Sequence, residues 1–124
     1  MKKANILVVD DSVLVLLGLN KTLLNNNLNV YLAPDGQKAE QILLAEKIDL
    51  VLLDLMLPDI SGFEIIDKMR ANEKLKNIPV IIISGSVEPD SVDKAKAKGV
   101  DLYLHKPVQP GDLIRHIKNV LNIK

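Results

Sequence analysis

Five polar side chains stand at the ends of otherwise apolar runs, where they could do chemistry. Asp10 and Asp11 follow "ILVV", Asp54 closes "DLVLLD", Ser84 closes "PVIIIS", and Lys106 follows "DLYLH". Two adjacent carboxylates behind a buried run are costly unless something compensates them, because desolvation disfavours the charged form and like charges repel. Asp10 and Asp11 therefore belong at the mouth of a strand, facing either water or a cation. Each residue alone has an ordinary explanation. An aspartate after a strand commonly makes a turn or a cap, Ser84 before Gly85 suits a loop, and Lys106 suits a surface. The coincidence of all five weakens those explanations: three carboxylates, a hydroxyl and an ammonium all fall at run ends between residues 10 and 106.

The elements that must position them alternate in texture. The runs "NILVVD" (5–10), "NVYLA" (29–33), "DLVLLD" (49–54), "PVIIIS" (79–84) and "DLYLH" (101–105) are short and nearly apolar throughout, as strands are when helices cover both faces of a parallel sheet. Helical signals lie between them. Ser12 caps a helix running to about Asn25, and "DGQKAEQILLAEK" spaces Ala39, Ile42, Leu43 and Glu46 along a helical stripe. Gly62 leads into Phe63, Ile66 and Met69, and Gly99 ends a lysine-rich helix over 89–98. Pro110 opens a last helix with Leu113, Ile114, Ile117, Val120 and Leu121 on one stripe. "VLVLLGL" (13–19) is strand-like in composition, but Ser12, its continuation past residue 19 and the need for a crossover favour helix. Five strands alternating with five helices predict a doubly wound α/β fold. In such folds the site lies beyond the carboxyl ends of the strands, which is where all five residues fall.

Bulk properties narrow the partners. A chain of 124 residues with 48% hydrophobic content suits one domain spanning 1–124. Sixteen basic and sixteen acidic residues balance, and aromatics make up only 2%, so neither the basic footprint nor the stacking platform of a nucleic-acid binder is present. Charge follows the first apolar residues too soon for a signal peptide, and the longest apolar stretch, Val13 to Leu19, is far short of a membrane span. With no cysteine there is no disulfide framework. The expectation is a cytoplasmic module with no direct contact to nucleic acid or membrane.

Four segments, "ILVVDDS", "LVLLDLMLPDISGFEII", "IPVIIISG" and "KGVDLYLHKP", together resemble the receiver domain of bacterial two-component response regulators, and the resemblance covers essentially the whole chain. It implies a flavodoxin-like three-layer sandwich with parallel strand order 2-1-3-4-5. It also implies that Asp54 is the phosphoacceptor, that Asp10 and Asp11 hold a divalent cation, and that the Ser84 hydroxyl and the Lys106 ammonium bind the phosphoryl group. A cis bond between Lys106 and Pro107 is implied as well. The implied partners are a histidine kinase or phosphotransfer protein as donor and a downstream protein or effector domain, which the face formed by the fourth helix, fifth strand and fifth helix would contact. The implied assembly is a monomer or a phosphorylation-dependent dimer.

The chemistry suits these roles. A carboxylate attacking phosphorus is a weak nucleophile and the reacting charges repel, so positioning and positive charge must lower the barrier. Mg²⁺ prefers oxygen ligands, one or two carboxylates among them. Asp11 and Asp54 are expected as direct ligands, Asp10 mainly through water, and the Met56 backbone carbonyl as a further ligand. By the resemblance Ser84 and Tyr103 form a switch, with Tyr103 turning inward as Ser84 moves toward the phosphoryl oxygens. Met56 and Ser86 would flank water's route to the site. Gly85 and Val100 replace alanines usual in the family. His105 and His116 suit surface positions better than phosphohistidine chemistry. Two other classes are conceivable. A slow aspartyl-phosphate phosphohydrolase of the haloacid-dehalogenase type generally needs an aspartate two residues after the nucleophile, where Met56 stands. A non-signalling pseudo-receiver or flavin-binding module would need no such set of five residues.

Overall fold

The structure, a computed structural model, describes residues 2–85 and 89–124. Strands β1 (Asn5–Val9), β2 (Asn29–Ala33), β3 (Leu50–Leu53), β4 (Val80–Ser84) and β5 (Leu102–His105) alternate with helices α1 (Val13–Asn25), α2 (Gly36–Ala45), α3 (Gly62–Arg70), α4 (Pro89–Ala97) and α5 (Pro110–Leu121). All pairings are parallel, in the order β2-β1-β3-β4-β5. β1 and β3 stop one residue short of the apolar runs, which leaves Asp10 and Asp54 just beyond the hydrogen-bonded ladder.

The period-two alternation of strand side chains divides the core in two. Leu7, Val9, Val51, Leu53, Val80 and Ile82 pack with α2, α3 and α4 through Ala39, Ile42, Leu43, Ile65, Ile66, Met69 and Ala95. Ile6, Val8, Leu50, Leu52, Ile81 and Ile83 pack on the opposite side with Leu16 and Leu23 of α1 and Leu113, Ile114 and Ile117 of α5. Many of these side chains are fully buried, each stabilising the fold by about 1.5–3 kcal/mol relative to exposure.

Helix starts follow the caps. The side chains of Ser12, Asp35 and Ser61 accept hydrogen bonds from Val15, Lys38 and Phe63. The chain turns after α4 at Gly99, whose φ of 75° favours a residue without a Cβ. Two details depart from the sequence pattern. Glu46 lies beyond the end of α2 and is exposed, because its backbone is already extended there. α1 is apolar on more than its core face: Val13, Leu14, Leu17 and Leu24 are 64%, 83%, 56% and 52% exposed. No helix among the described residues is long and apolar enough to cross a membrane.

Candidate functional site

β1 and β3 are neighbours, so their carboxyl ends bring Asp10, Asp11 and Asp54 together although Asp10 and Asp11 precede Asp54 by 44 and 43 positions in the sequence. One ligand oxygen from each lies within 4.8 Å of the others. The backbone sets these positions. The Asp10 amide donates to Ala33 O at 3.1 Å, extending the β1–β2 pairing, and the Asp54 amide donates to Val9 O at 2.9 Å. Asp10 and Asp54 are 3% and 7% exposed, whereas Asp11 is exposed.

Buried carboxylates need partners, and they have them. Asp10 Oδ1 accepts from the Ser12 amide at 2.9 Å, and Asp54 Oδ1 accepts from the Met56 amide at 3.1 Å. Lys106 Nζ reaches over from beyond β5 and donates to Asp10 Oδ2 at 2.7 Å and Asp54 Oδ2 at 2.9 Å. Burial pulls the Lys106 pKa down, but the hydrogen bonds and charges of Asp10 and Asp54 outweigh it and hold the ammonium above its ordinary 10.5. The sequence brought Lys106 to the rim but did not reveal that it pairs with two of the aspartates. Three carboxylates against one ammonium leave a surplus of two negative charges, and every donor in the acidic cluster is oxygen. That balance fits a hard divalent cation.

The remaining calls lie around this cluster. Ser84 is fully buried at the end of β4, and its carbonyl accepts from the Lys106 amide at 2.9 Å. The Lys106–Pro107 bond is cis. Tyr103 is half-buried on β5 and already packs against the core on the α4 side. Its hydroxyl is buried without a hydrogen-bond partner among the described residues, so the ring already faces inward from this edge strand. Alternation places Ser84 on that same side of the sheet. The Met56 side chain is 69% exposed. Ser86 lies outside the described residues. His105 is exposed, its ring centroid 5.2 Å from that of Tyr103, while His116 is half-buried on α5 rather than fully solvated.

The loop after Asp54 is tightly folded. Met56 and Ser61 form an antiparallel bridge, and the Gly62 amide donates to Leu55 O at 2.9 Å. A Cβ at Gly62 would meet Asp54 O at 2.6 Å and Leu55 Cα at 2.8 Å, so only glycine allows this approach to the segment bearing Asp54. Sequence reasoning missed Asp59 in this loop. Its Oδ1 accepts from the Gly36 amide and its Oδ2 from the Gln37 amide, both at 2.9 Å. The hydrogen bond from Gly36 does most to hold the Asp59 carboxyl below its ordinary 3.8; partial burial opposes this, and bonds from Gln37 and Ile60 reinforce it. The one available signal was an aspartate directly after Pro58, an ordinary turn pattern.

A doubly wound parallel sheet with an acidic cluster and an opposed lysine at its carboxyl edge defines an α/β protein whose site is built from strand ends. The chain belongs to the response regulator receiver domain family, whose profile matches residues 6–118. Two-component response regulator ORR11 of Oryza sativa subsp. japonica is 30% identical over 118 residues, which cover 94% of this chain and 80% of that protein. Probable transcriptional regulator ycf29 is 31% identical over 121 residues in Porphyra purpurea and 28% over 120 in Pyropia yezoensis. The match takes in 94% of this chain in both cases but 56% and 52% of those proteins, so the chain spans little more than half their length. Among solved structures, a CheY-like receiver domain protein from Methanospirillum hungatei JF-1 superposes with a TM-score of 0.92 at 27% identity, covering 98% of this chain and 95% of that one. Chemotaxis response regulator CheY4 of Vibrio cholerae gives 0.89 at 27% identity, with coverage of 96% and 99%. This chain is thus a receiver module of two-component phosphorelay signalling.

Proposed function

We propose that Asp54 is the phosphoacceptor of this module, taking a phosphoryl group from a histidine kinase or phosphotransfer protein and thereby altering a protein-binding face. The observation that carries this reading is the Lys106 ammonium lying 2.7 and 2.9 Å from two aspartates of a three-carboxylate cluster. In the transfer, an Asp54 oxygen bonds to phosphorus as the P–N bond of phosphohistidine breaks, and the freed imidazole nitrogen keeps the electron pair and takes up a proton. Asp10, Asp11, Asp54 and the Met56 carbonyl would hold Mg²⁺, which when bound supplies positive charge to the phosphoryl oxygens. Lys106 orients a phosphoryl oxygen through a charge-assisted hydrogen bond, and the Ser84 hydroxyl binds another.

Met56 stands two residues after Asp54, and its thioether has no proton to give. Hydrolysis of the phosphoryl group is therefore slow and the domain acts as a regulator rather than a phosphohydrolase. The setting we assign is the cytoplasm, with residues 1–124 as one receiver domain. A protein donor must cover surface beside the cleft to bring phosphorus within reach of Asp54. α1 offers such a surface, since Val13, Leu14 and Leu17 are exposed and a cavity of about 370 Å³ runs from Leu14 and Gly18 to Lys106 and Pro107. Output is assigned to the face of α4, β5 and α5, where the buried Tyr103 hydroxyl lies behind β5.

The test is incubation with acetyl phosphate and Mg²⁺ followed by intact-mass measurement. One phosphoryl group should be added to the parent, and none after EDTA treatment or in Asp54→Asn. Labelling that persists in Asp54→Asn would overturn the assignment.

A further inference from the structure

We propose that Asp59 is a positioning residue for the divalent-cation site: its carboxylate ties the loop after Asp54 to the start of α2 and closes a ring of backbone contacts that spaces Asp10 from the Asp54–Met56 segment. This rests on the reading of Asp10, Asp11, Asp54 and the Met56 carbonyl as that site.

The ring can be followed link by link. Asp10 hangs from Ala33 by its amide, at 3.1 Å, and Gly36 follows Ala33 by three residues. The Gly36 and Gln37 amides donate to opposite oxygens of Asp59, each at 2.9 Å. Asp59 leads back along the loop to Met56 and Asp54, and Asp54 hangs from Val9, next to Asp10, at 2.9 Å. Side-chain packing reinforces the closing link. A Cβ at Gly36 would come within 2.4 and 2.6 Å of Ile60 Cγ1 and Cδ1, so Ile60 lies directly on the bare glycine. The loop itself cannot yield easily, because the Met56–Ser61 bridge and the Gly62 contact hold its two ends together.

Helix capping alone does not account for Asp59. α2 already has a local cap, since Asp35 accepts from the Lys38 amide at 2.8 Å. Asp59 takes the two amides that precede Lys38, from 23 and 22 residues away in sequence, and also accepts from the Ile60 amide at 2.9 Å. A carboxylate fixed by three N–H groups across two segments holds those segments at one separation. Asp59 hydrogen-bonds to none of the proposed ligands and acts one step further out than the groups that hydrogen-bond metal ligands. Loss of such groups weakens binding by about 10–100-fold, so the effect of Asp59 belongs at the low end of that range.

Two aspartates on the same helix terminus separate positioning from capping. Mg²⁺ affinity is read by isothermal titration calorimetry, and thermal melts in EDTA are recorded on the same samples. Asp59→Ala should weaken Mg²⁺ binding about tenfold, in the range typical of supporting residues. Asp59→Asn, which keeps an acceptor for the Gly36 and Ile60 amides, should fall between it and the parent, and it carries the comparison should the alanine variant not fold. Asp35→Ala should lower the melting temperature yet leave Mg²⁺ affinity within twofold. The Met56 amide resonance, followed during the titration, should shift less in Asp59→Ala than in the parent at equal Mg²⁺. Parent-like affinity in both Asp59 variants, or equal losses in Asp35→Ala and Asp59→Ala, would reduce Asp59 to a helix cap and overturn the proposal. A parent that binds no Mg²⁺ would instead overturn the metal-site reading on which it stands.

Discussion

Lys106 holds the acidic rim together by pairing with both Asp10 and Asp54. With two largely buried carboxylates as partners it neutralises charge that neither water nor the apolar sheet can screen. Lys106→Ala removes that partner and leaves Asp10 and Asp54 facing each other. The expected loss in EDTA is about 2–3 kcal/mol, somewhat below the figure for fully buried pairs because part of the lysine is in water. Added Mg²⁺ should restore part of it in a thermal melt. The pH dependence has a definite sign. The Lys106 pKa is raised in the folded state, so its stabilisation is fully present below the unfolded value near 10.5 and is lost as pH rises through the higher folded value. The difference between parent and Lys106→Ala should therefore be constant near neutrality and shrink only in strong alkali. A difference that disappears between pH 6 and 9 would show that some other group carries it.

Between β3 and α3, backbone crowding decides what the loop tolerates. Gly62 lets the chain return within contact distance of Asp54 O and Leu55 Cα. A methyl group there must displace backbone, so Gly62→Ala should cost about 1–3 kcal/mol and weaken Mg²⁺ binding through the displaced loop. Gly85 is the counter-case. A Cβ there meets nothing within 4 Å among the described residues, so Gly85→Ala should change stability by less than about 0.5 kcal/mol, as checked by urea unfolding. α1 allows a different separation. Leu14 is 83% exposed beside the cavity that leads to Lys106. Leu14→Ala should leave acetyl phosphate labelling of Asp54 unchanged. Transfer from a phosphorylated histidine phosphotransfer protein should slow by about tenfold, equivalent to roughly 1.4 kcal/mol of docking energy. Equal slowing of both reactions would place the effect at Asp54 rather than at docking.

The sheet connects the rim to the far face. Ser84 on β4 is paired in register with His105 on β5, and Lys106 follows His105 with its amide bonded to Ser84 O. In the switch we propose, these links would carry a change at Ser84 to the strand that bears Tyr103. The Tyr103 ring already packs inward, so the switch we assign is a change in the surroundings of its buried hydroxyl rather than a swing from solvent. Arg70 braces the opposite end of α4 through bonds to the carbonyls of Lys98 and Gly99. Beryllofluoride with Mg²⁺, a phosphoryl mimic, should shift backbone NMR resonances of β5, α5 and the described part of α4 as well as those of Asp10, Asp11 and Asp54. Coupling of about 1–3 kcal/mol would suffice for regulation. Shifts confined to the acidic cluster would leave a phosphoacceptor without this switch.

Much of this was legible before folding, for local reasons. Apolar run length, the cap at Ser12, the proline at the first position of α5, and Gly99 mark where elements begin and end, and the alternation of strands and helices puts Asp10, Asp11, Asp54, Ser84 and Lys106 on one rim. The strand order came from the family resemblance, because periodicity reports which side of an element is buried and not which element covers it. The same limit hid the rest. Lys106 pairs with Asp10 across 96 residues and Asp59 with Gly36 across 23, contacts that depend on the reach of one side chain over folded neighbours. α1 is apolar nearly all round, so its sequence could not say which leucines the sheet would leave in water. Local pattern sets the elements and their ends; pairing, exposure and the charge balance of the site arise only when distant segments meet, because Coulomb and packing energies depend on distance in space rather than along the chain.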